Sequence, residues 1–187
     1  MSLLGQHSTV KALGEHIIEN RTRRGWPSAT DLSKTTRGLV EELGEYLRAE
    51  RKHRLGHAFG ARDTKPEVVD ALGDVLVYAL GALAILGDGW VRYAAEVAAR
   101  RALDPSSDDA LTASTFENAV VALGHFESMR KSHLETKDDV YARAMVLNIE
   151  IIAAFAEREL RAMEADPETV VRAILGDNAE RQGQVPH

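Results

Sequence analysis

Cysteine is absent from the 187 residues, which removes disulfide cross-links, thiolate metal sites and a cysteine nucleophile from consideration. A surplus of basic residues is missing too. Lys and Arg number 23 against 29 Asp and Glu, a formal net charge of -6, so the electrostatic footprint of a nucleic-acid polymer binder is not there. Aromatic residues make up only 5%, yet 44% of the chain is apolar, enough for a core in one large domain or two small fused ones. The longest apolar stretch, 75–86, is about a dozen residues, short of the roughly 18–20 that span a bilayer. The start, MSLLGQHSTVK, has neither a basic segment before an apolar one nor a small-residue cleavage site. The expectation is a cytoplasmic protein that engages no membrane and no nucleic-acid polymer.

What is present is helical periodicity, and it predicts an all-α fold of about seven helices. Ser8 is placed to cap a first helix carrying Val10, Leu13 and Ile17 on one face, ended by Gly25-Trp26-Pro27-Ser28. A second helix is expected over 32–53 with Leu39, Leu43 and Leu47 inward. The stretch 54–65, containing Gly56, Gly60 and Asp63, reads as a loop. Pro66 suits the first turn of a third helix running to about Leu86, with Leu72, Leu76, Leu80 and Leu83 buried. Further helices are expected at 90–102, 114–132, 138–164 and 167–182, the last capped by Asp166 with Pro167 at its first position.

The polar run Asp104-Pro105-Ser106-Ser107-Asp108-Asp109 marks the one evident linker. It divides the chain into 1–103, a linker at 104–112, and 113–187. The two sides look related: 40–53 reads VEELGEYLRAERKH and 120–133 reads VVALGHFESMRKSH. Leu43-Gly44 matches Leu123-Gly124, Tyr46 matches Phe126 and His53 matches His133, whereas Glu42 becomes Ala122 and Glu45 becomes His125. A tandem pseudo-repeat whose second copy has lost its carboxylates accounts for this pattern.

The carboxylates of the first half carry the chemistry. Glu41, Glu42 and Glu45 crowd one helix, and Glu67, Asp70 and Asp74 align on the next. Like charges at such spacing repel by about 0.2–0.5 kcal/mol per exposed pair, and two such faces on adjacent helices call for a cation. A hard divalent ion that binds carboxylates together with water and phosphate oxygens answers this, Mg²⁺ above all. Gly44 and Gly73 each cost a helix about 1 kcal/mol relative to Ala, which suggests that a backbone or ligand approaches closely at both.

The segment Glu-Glu-Leu-Gly-Glu at 41–45, followed by Asp-Ala-Leu-Gly-Asp-Val-Leu-Val-Tyr at 70–78, resembles the ExxE and ExxD motifs of the MazG-like all-α nucleoside triphosphate pyrophosphohydrolases. The resemblance covers about 8–101. It implies a MazG-like helical bundle and cleavage of the α–β phosphoanhydride of a (d)NTP to (d)NMP and pyrophosphate. It further implies Mg²⁺, with Mn²⁺ as the substitute ion, held by Glu42, Glu45, Asp70 and Asp74. Ala71 stands where the family has the Glu of ExxD, with Asp70 one position earlier. Glu41 or Glu42 is the candidate base for the attacking water. Trp26 is the candidate for stacking on the nucleobase, and Lys52 for contacting outer phosphates. Asn178 and Arg181 fit an NxxR phosphate-binding pattern from the second half. Family precedent also implies a homodimer.

Three other readings compete, one of them a phosphoribosyl-ATP pyrophosphohydrolase of the same broad fold. A di-iron four-helix protein needs two ExxH elements, and only 50–53 supplies one, position 130 being Arg. A catalytically weak or inactive helical nucleotide-binding or scaffold module accords with Ala71.

Overall fold

The computed structural model describes residues 3–26, 30–59, 64–87 and 115–180, with the side chains of His7, 57–59 and 177–180 left aside. The described residues form six helices and no strand, so the fold is all-α. They are α1 (His7–Arg23), α2 (Leu32–Phe59), α3 (Lys65–Leu86), α4 (Phe116–Thr136), α5 (Asp139–Ala162) and α6 (Pro167–Glu180). The expected helix at 90–102 and the linker at 104–112 lie outside the described residues.

Helix α3 is the centre. It packs against α1, α2, α5 and α6, while α4 pairs with α5 and also touches α2. Its buried face includes Leu72, Leu76, Leu80 and Leu83, the positions periodicity selects. By length and a mean hydropathy of 1.9 over its most apolar 18 residues, α3 would suffice to cross a membrane, but 67% of that stretch is buried inside the fold. Its apolarity is that of a helix wrapped by four others.

Local signals set most helix ends. Asp31 accepts from Ser33 N at 2.8 Å ahead of α2, Asp138 accepts from Val140 N at 2.9 Å ahead of α5, and Asp166 accepts from Thr169 N at 3.0 Å ahead of α6. Three features of α1 and α2 differ from the sequence reading. Helix α1 starts one residue before Ser8, with Gln6 as its N-cap and no side-chain cap. Helix α2 runs through Gly56 to Phe59, because Arg54 pairs back to Glu50 at i, i+4 and one glycine costs a long helix only about 1 kcal/mol. Leu47 is exposed, and the buried stripe of α2 is Leu39, Leu43 and Tyr46. Tyr46 takes the inward place because its ring meets Phe155 edge-on at 5.4 Å and Phe116 at 5.9 Å.

The matched residues of the two halves occupy similar environments. Leu43 and Leu123, and Tyr46 and Phe126, are buried, and a Cβ on Gly44 or Gly124 would meet nothing within 4 Å. His53 Nδ1 lies 3.3 Å from Thr64 Oγ1 and His133 Nδ1 lies 2.9 Å from the Asp138 carbonyl. In both halves the histidine thus contacts the N-cap residue of the following helix.

Candidate functional site

Packing α2 on α3 brings their acidic faces together. Glu42 and Asp74 are half-buried, and Glu41, Glu45, Glu67 and Asp70 are exposed around them. The Glu42 carboxyl is pushed up from its ordinary 4.5 to about 7, first by burial, then by the charges of Asp74, Glu45, Glu41 and Asp70. Carboxylates of both acidic motifs therefore bear on Glu42.

A cleft of about 420 Å³ opens beside them, lined by Glu45, Arg48, Ala49, Lys52, Glu67, Asp70, Ala71 and Asp74. Ala71 is part of its wall and only 7% exposed. Lys52 stands at this cleft, but its ammonium donates to both Glu67 oxygens, at 2.9 and 2.7 Å. Arg48 lies 3.5 Å from Glu45. Each base is thus set against an acid across a solvent-exposed pair, a weak tie of about 0–1 kcal/mol that a phosphate can displace.

The donor set suits a hard divalent ion in charge and chemistry, since a half-buried carboxyl whose pKa is raised by neighbouring carboxylates, as that of Glu42 is, is relieved by a cation. Among the described residues, no three His, Cys, Asp or Glu side chains form a group able to hold an ion by themselves. Mg²⁺ does not require one, because it keeps several waters and typically binds through one or two carboxylates plus substrate oxygens.

A second cavity, of about 150 Å³, shares Glu42 and Asp74 with this acidic region and is otherwise lined by Ile17, Asn20, Arg21, Arg24, Trp26, Val77, Tyr78 and Leu175. Its geometry starts at the end of α1. Gly25 adopts φ 65°, Trp26 N donates to Arg21 O at 2.9 Å and Gly25 N to Thr22 O at 2.9 Å. This is a Schellman termination with glycine at the left-handed position. The turn folds Trp26 back so that the Arg24 guanidinium lies 4.8 Å from its ring centroid.

Arg21 is only 3% exposed and Asn20 6%. The Arg21 guanidinium lies 4.4 Å from the centroid of the Tyr78 ring, and burial pushes its pKa down while Tyr78 pushes it up. Two glycines make room for the stack. A Cβ on Gly38 would fall 2.1 Å from Tyr78 Cε1, and one on Gly81 would fall 2.7 Å from Arg21 Nη1. Arg21 Nη1 and Asn20 Oδ1 are buried without a hydrogen-bond partner among the described residues.

Asn20, Arg21, Arg24 and Tyr78 were not singled out from the sequence, although a signal exists. The core stripe Val10, Leu13, Ile17 of α1 continues at Asn20, Arg21 and Arg24, so polar groups stand where periodicity calls for apolar ones. Trp26 falls in the cavity lining. Gly73 has a different partner from the one expected: its missing Cβ makes room for Ile174 and Val170 of α6, at 2.4 and 2.6 Å, so the close approach there is a helix. Leu175 brings α6 to the cavity. The Asn178 side chain and Arg181 lie outside the described residues. No protein-family model, curated protein or solved structure matches the chain.

Proposed function

We propose that the protein is a Mg²⁺-dependent nucleoside triphosphate pyrophosphohydrolase, releasing pyrophosphate from a (d)NTP to leave the (d)NMP. One observation carries the reading: Glu42, half-buried with its carboxyl pushed to about 7 by burial and by Asp74, Glu45, Glu41 and Asp70, lines a cavity together with Arg21, Arg24 and Trp26, and Asp74 lines both that cavity and the acidic cleft. An acidic ring suits a cation, and an adjoining cationic and aromatic wall suits the nucleotide that the cation accompanies.

In this reading one or two of Glu42, Glu45, Asp70 and Asp74 hold the ion, and water and phosphate oxygens complete its shell. Bound Mg²⁺ supplies Lewis acidity at the phosphoryl oxygens and a lowered pKa for water. Glu42, or Glu41 beside it, accepts the proton of the attacking water. Lys52 and Arg48 leave their carboxylate partners to meet outer phosphates. Trp26 and the arginines of α1 receive the nucleoside end. The protein works as a cytoplasmic homodimer in the same reading, and exposed Val40 and Leu47 on α2 offer apolar surface for the association.

The test is pyrophosphate release from a panel of NTPs and dNTPs with Mg²⁺, in wild type and Glu42→Gln. The reading expects monophosphate and pyrophosphate in equal amounts, and loss of turnover in the variant. No release from any nucleotide, or turnover unaffected by the substitution, refutes it. A second reading, a nucleotide-binding module without turnover, is favoured by Ala71 in the cleft wall and by the lack of a three-ligand group among the described residues. It predicts nucleotide binding with no pyrophosphate released.

A further inference from the structure

The acidic cleft has two unlike ends. Small side chains, Ala49 on α2 and Ala71 on α3, leave its space of about 420 Å³ open. Along α3 the lining runs from Asp74 through Asp70 to Glu67, and along α2 from Glu45 through Arg48 to Lys52. On each helix the two ends are two turns apart, about 10 Å at 1.5 Å per residue. The end at Asp74 adjoins the cavity that Glu42 lines. The other end is spanned by the ion pair of Lys52 with Glu67.

That pair differs from its neighbours on the surface. Arg48–Glu45, Arg54–Glu50 and Arg172–Glu168 each close within one helix at i, i+3 or i, i+4, where spacing alone brings the partners together. Lys52 and Glu67 stand on different helices, and the ammonium donates to both carboxylate oxygens, at 2.9 and 2.7 Å. Both side chains are exposed, 60% and 47%, so water weakens the tie. It lies across the outer end of the cleft as a bridge that a stronger anion can take apart. A terminal phosphate is such an anion, since it carries up to about two charges against the one of a carboxylate and offers three acceptor oxygens to the ammonium.

We infer that Glu67 is a stand-in for the terminal phosphate of the substrate: it keeps Lys52 over the outer end of the cleft and yields it to a phosphate chain long enough to arrive there. Glu67 is thus a positioning residue and not a ligand of the ion, and Lys52 is the residue that reads chain length. A single phosphate held at Asp74 stays about two turns of α3 short of Glu67, whereas a triphosphate extends outward toward it. The inference rests on the nucleotide reading above and deepens it, adding which side chain selects triphosphates over monophosphates and which one opposes their binding.

Calorimetric titration in Mg²⁺ with the α,β-methylene triphosphates of adenosine, guanosine, cytidine and uridine, and with the four monophosphates, tests this without turnover. Wild type should bind a triphosphate more tightly than the monophosphate of the same base. Glu67→Gln, which keeps the shape and gives up the charge, should bind the triphosphates about two- to fivefold more tightly, the range an exposed ion pair contributes. Monophosphate binding should stay within about twofold of wild type. Lys52→Met should weaken triphosphate binding by about fivefold or more, and in the double variant the gain from Glu67→Gln should vanish. Both side chains are exposed, so these variants should fold as wild type does. Unchanged or weaker triphosphate binding by Glu67→Gln overturns the inference. A gain that survives in the Lys52→Met background overturns it too, because the lost charge then acts on any anion at large. Pyrophosphate release from ordinary triphosphates separates the two readings. Cleavage with no gain in Glu67→Gln sinks the stand-in role alone; the expected binding pattern with no cleavage sinks the hydrolase alone; no binding of any triphosphate sinks both.

Discussion

The guanidinium of Arg21 on α1 lies over the ring of Tyr78 on α3, 4.4 Å from its centroid, and this cation–ring stack joins the first helix to the one that carries Asp74. Burial pushes the Tyr78 hydroxyl above its ordinary pKa, Arg21 pulls it down, and Glu42, Glu41 and Asp74 add to the rise. One contact thus couples the cavity wall to the acidic pair. It exists because position 38 on α2 has no side chain.

Gly38→Ala should therefore destabilise the protein by about 1–3 kcal/mol, as overpacking does. Its Cβ would fall within 2.1–2.7 Å of three Tyr78 ring atoms, so the ring has to move and Arg21 with it. Gly44→Ala on the same helix is the control: nothing lies within 4 Å of its Cβ, and replacing a helical glycine in open space should stabilise by about 0.5–1 kcal/mol. Denaturant midpoints of the two variants should move in opposite directions.

Glu42 makes stability fall with rising pH when no divalent ion is present. Its carboxyl titrates at about 7 in the folded chain against an ordinary 4.5. Between those values the folded state holds the proton more tightly than the unfolded state. Its contribution is fully present at low pH and lost as pH rises through about 7. Glu42→Gln lacks this component, so melting curves from pH 5 to 8 should show the variant gaining on wild type. Mg²⁺ added at pH 8 should raise the wild-type melting temperature more than that of the variant. A parallel pH dependence in both proteins would contradict the assignment.

Ala71→Glu would add a carboxylate to the cleft wall formed with Asp70 and Asp74. Metal-free, it should lower the melting temperature, because a further negative charge enters a crowded acidic site at a position only 7% exposed. With Mg²⁺, the stabilisation relative to the metal-free state should exceed that of wild type, since apparent stability follows affinity. Differential scanning fluorimetry with and without Mg²⁺ reads both effects.

Glu157 on α5 fastens the N-terminal segment. Buried itself, it accepts from Leu3 N at 2.6 Å and Leu4 N at 3.3 Å and pairs with Arg161 at 3.1 Å. Glu157→Ala leaves those amide donors unpartnered by it and should cost about 1–3 kcal/mol. Hydrogen exchange should accelerate at Leu3 and Leu4 more than in the middle of α3.

Much of the fold was legible in the sequence because helices are local objects. Val10, Leu13 and Ile17 repeat at helical spacing and are buried; Asp138 and Asp166 sit one residue before α5 and α6 and cap them. The charge pattern of Glu41, Glu42, Glu45, Asp70 and Asp74 is likewise written in the chain. What tertiary structure decided is which of these groups meet. Only packing α2 on α3 puts Asp74 against Glu42 strongly enough to help raise its carboxyl to about 7. Only the α3–α6 contact shows that Gly73 admits Ile174, and only the paired helices give Lys52 to Glu67. Helical spacing marks Arg21 only as a polar residue on the core stripe of α1, and its surroundings come from elsewhere in the chain. Helical spacing settles the face on which a residue stands. The neighbours that desolvate it, repel it or leave it without a partner come from distant parts of the chain, and these contacts alone brought Asn20, Arg21 and Tyr78 to one cavity.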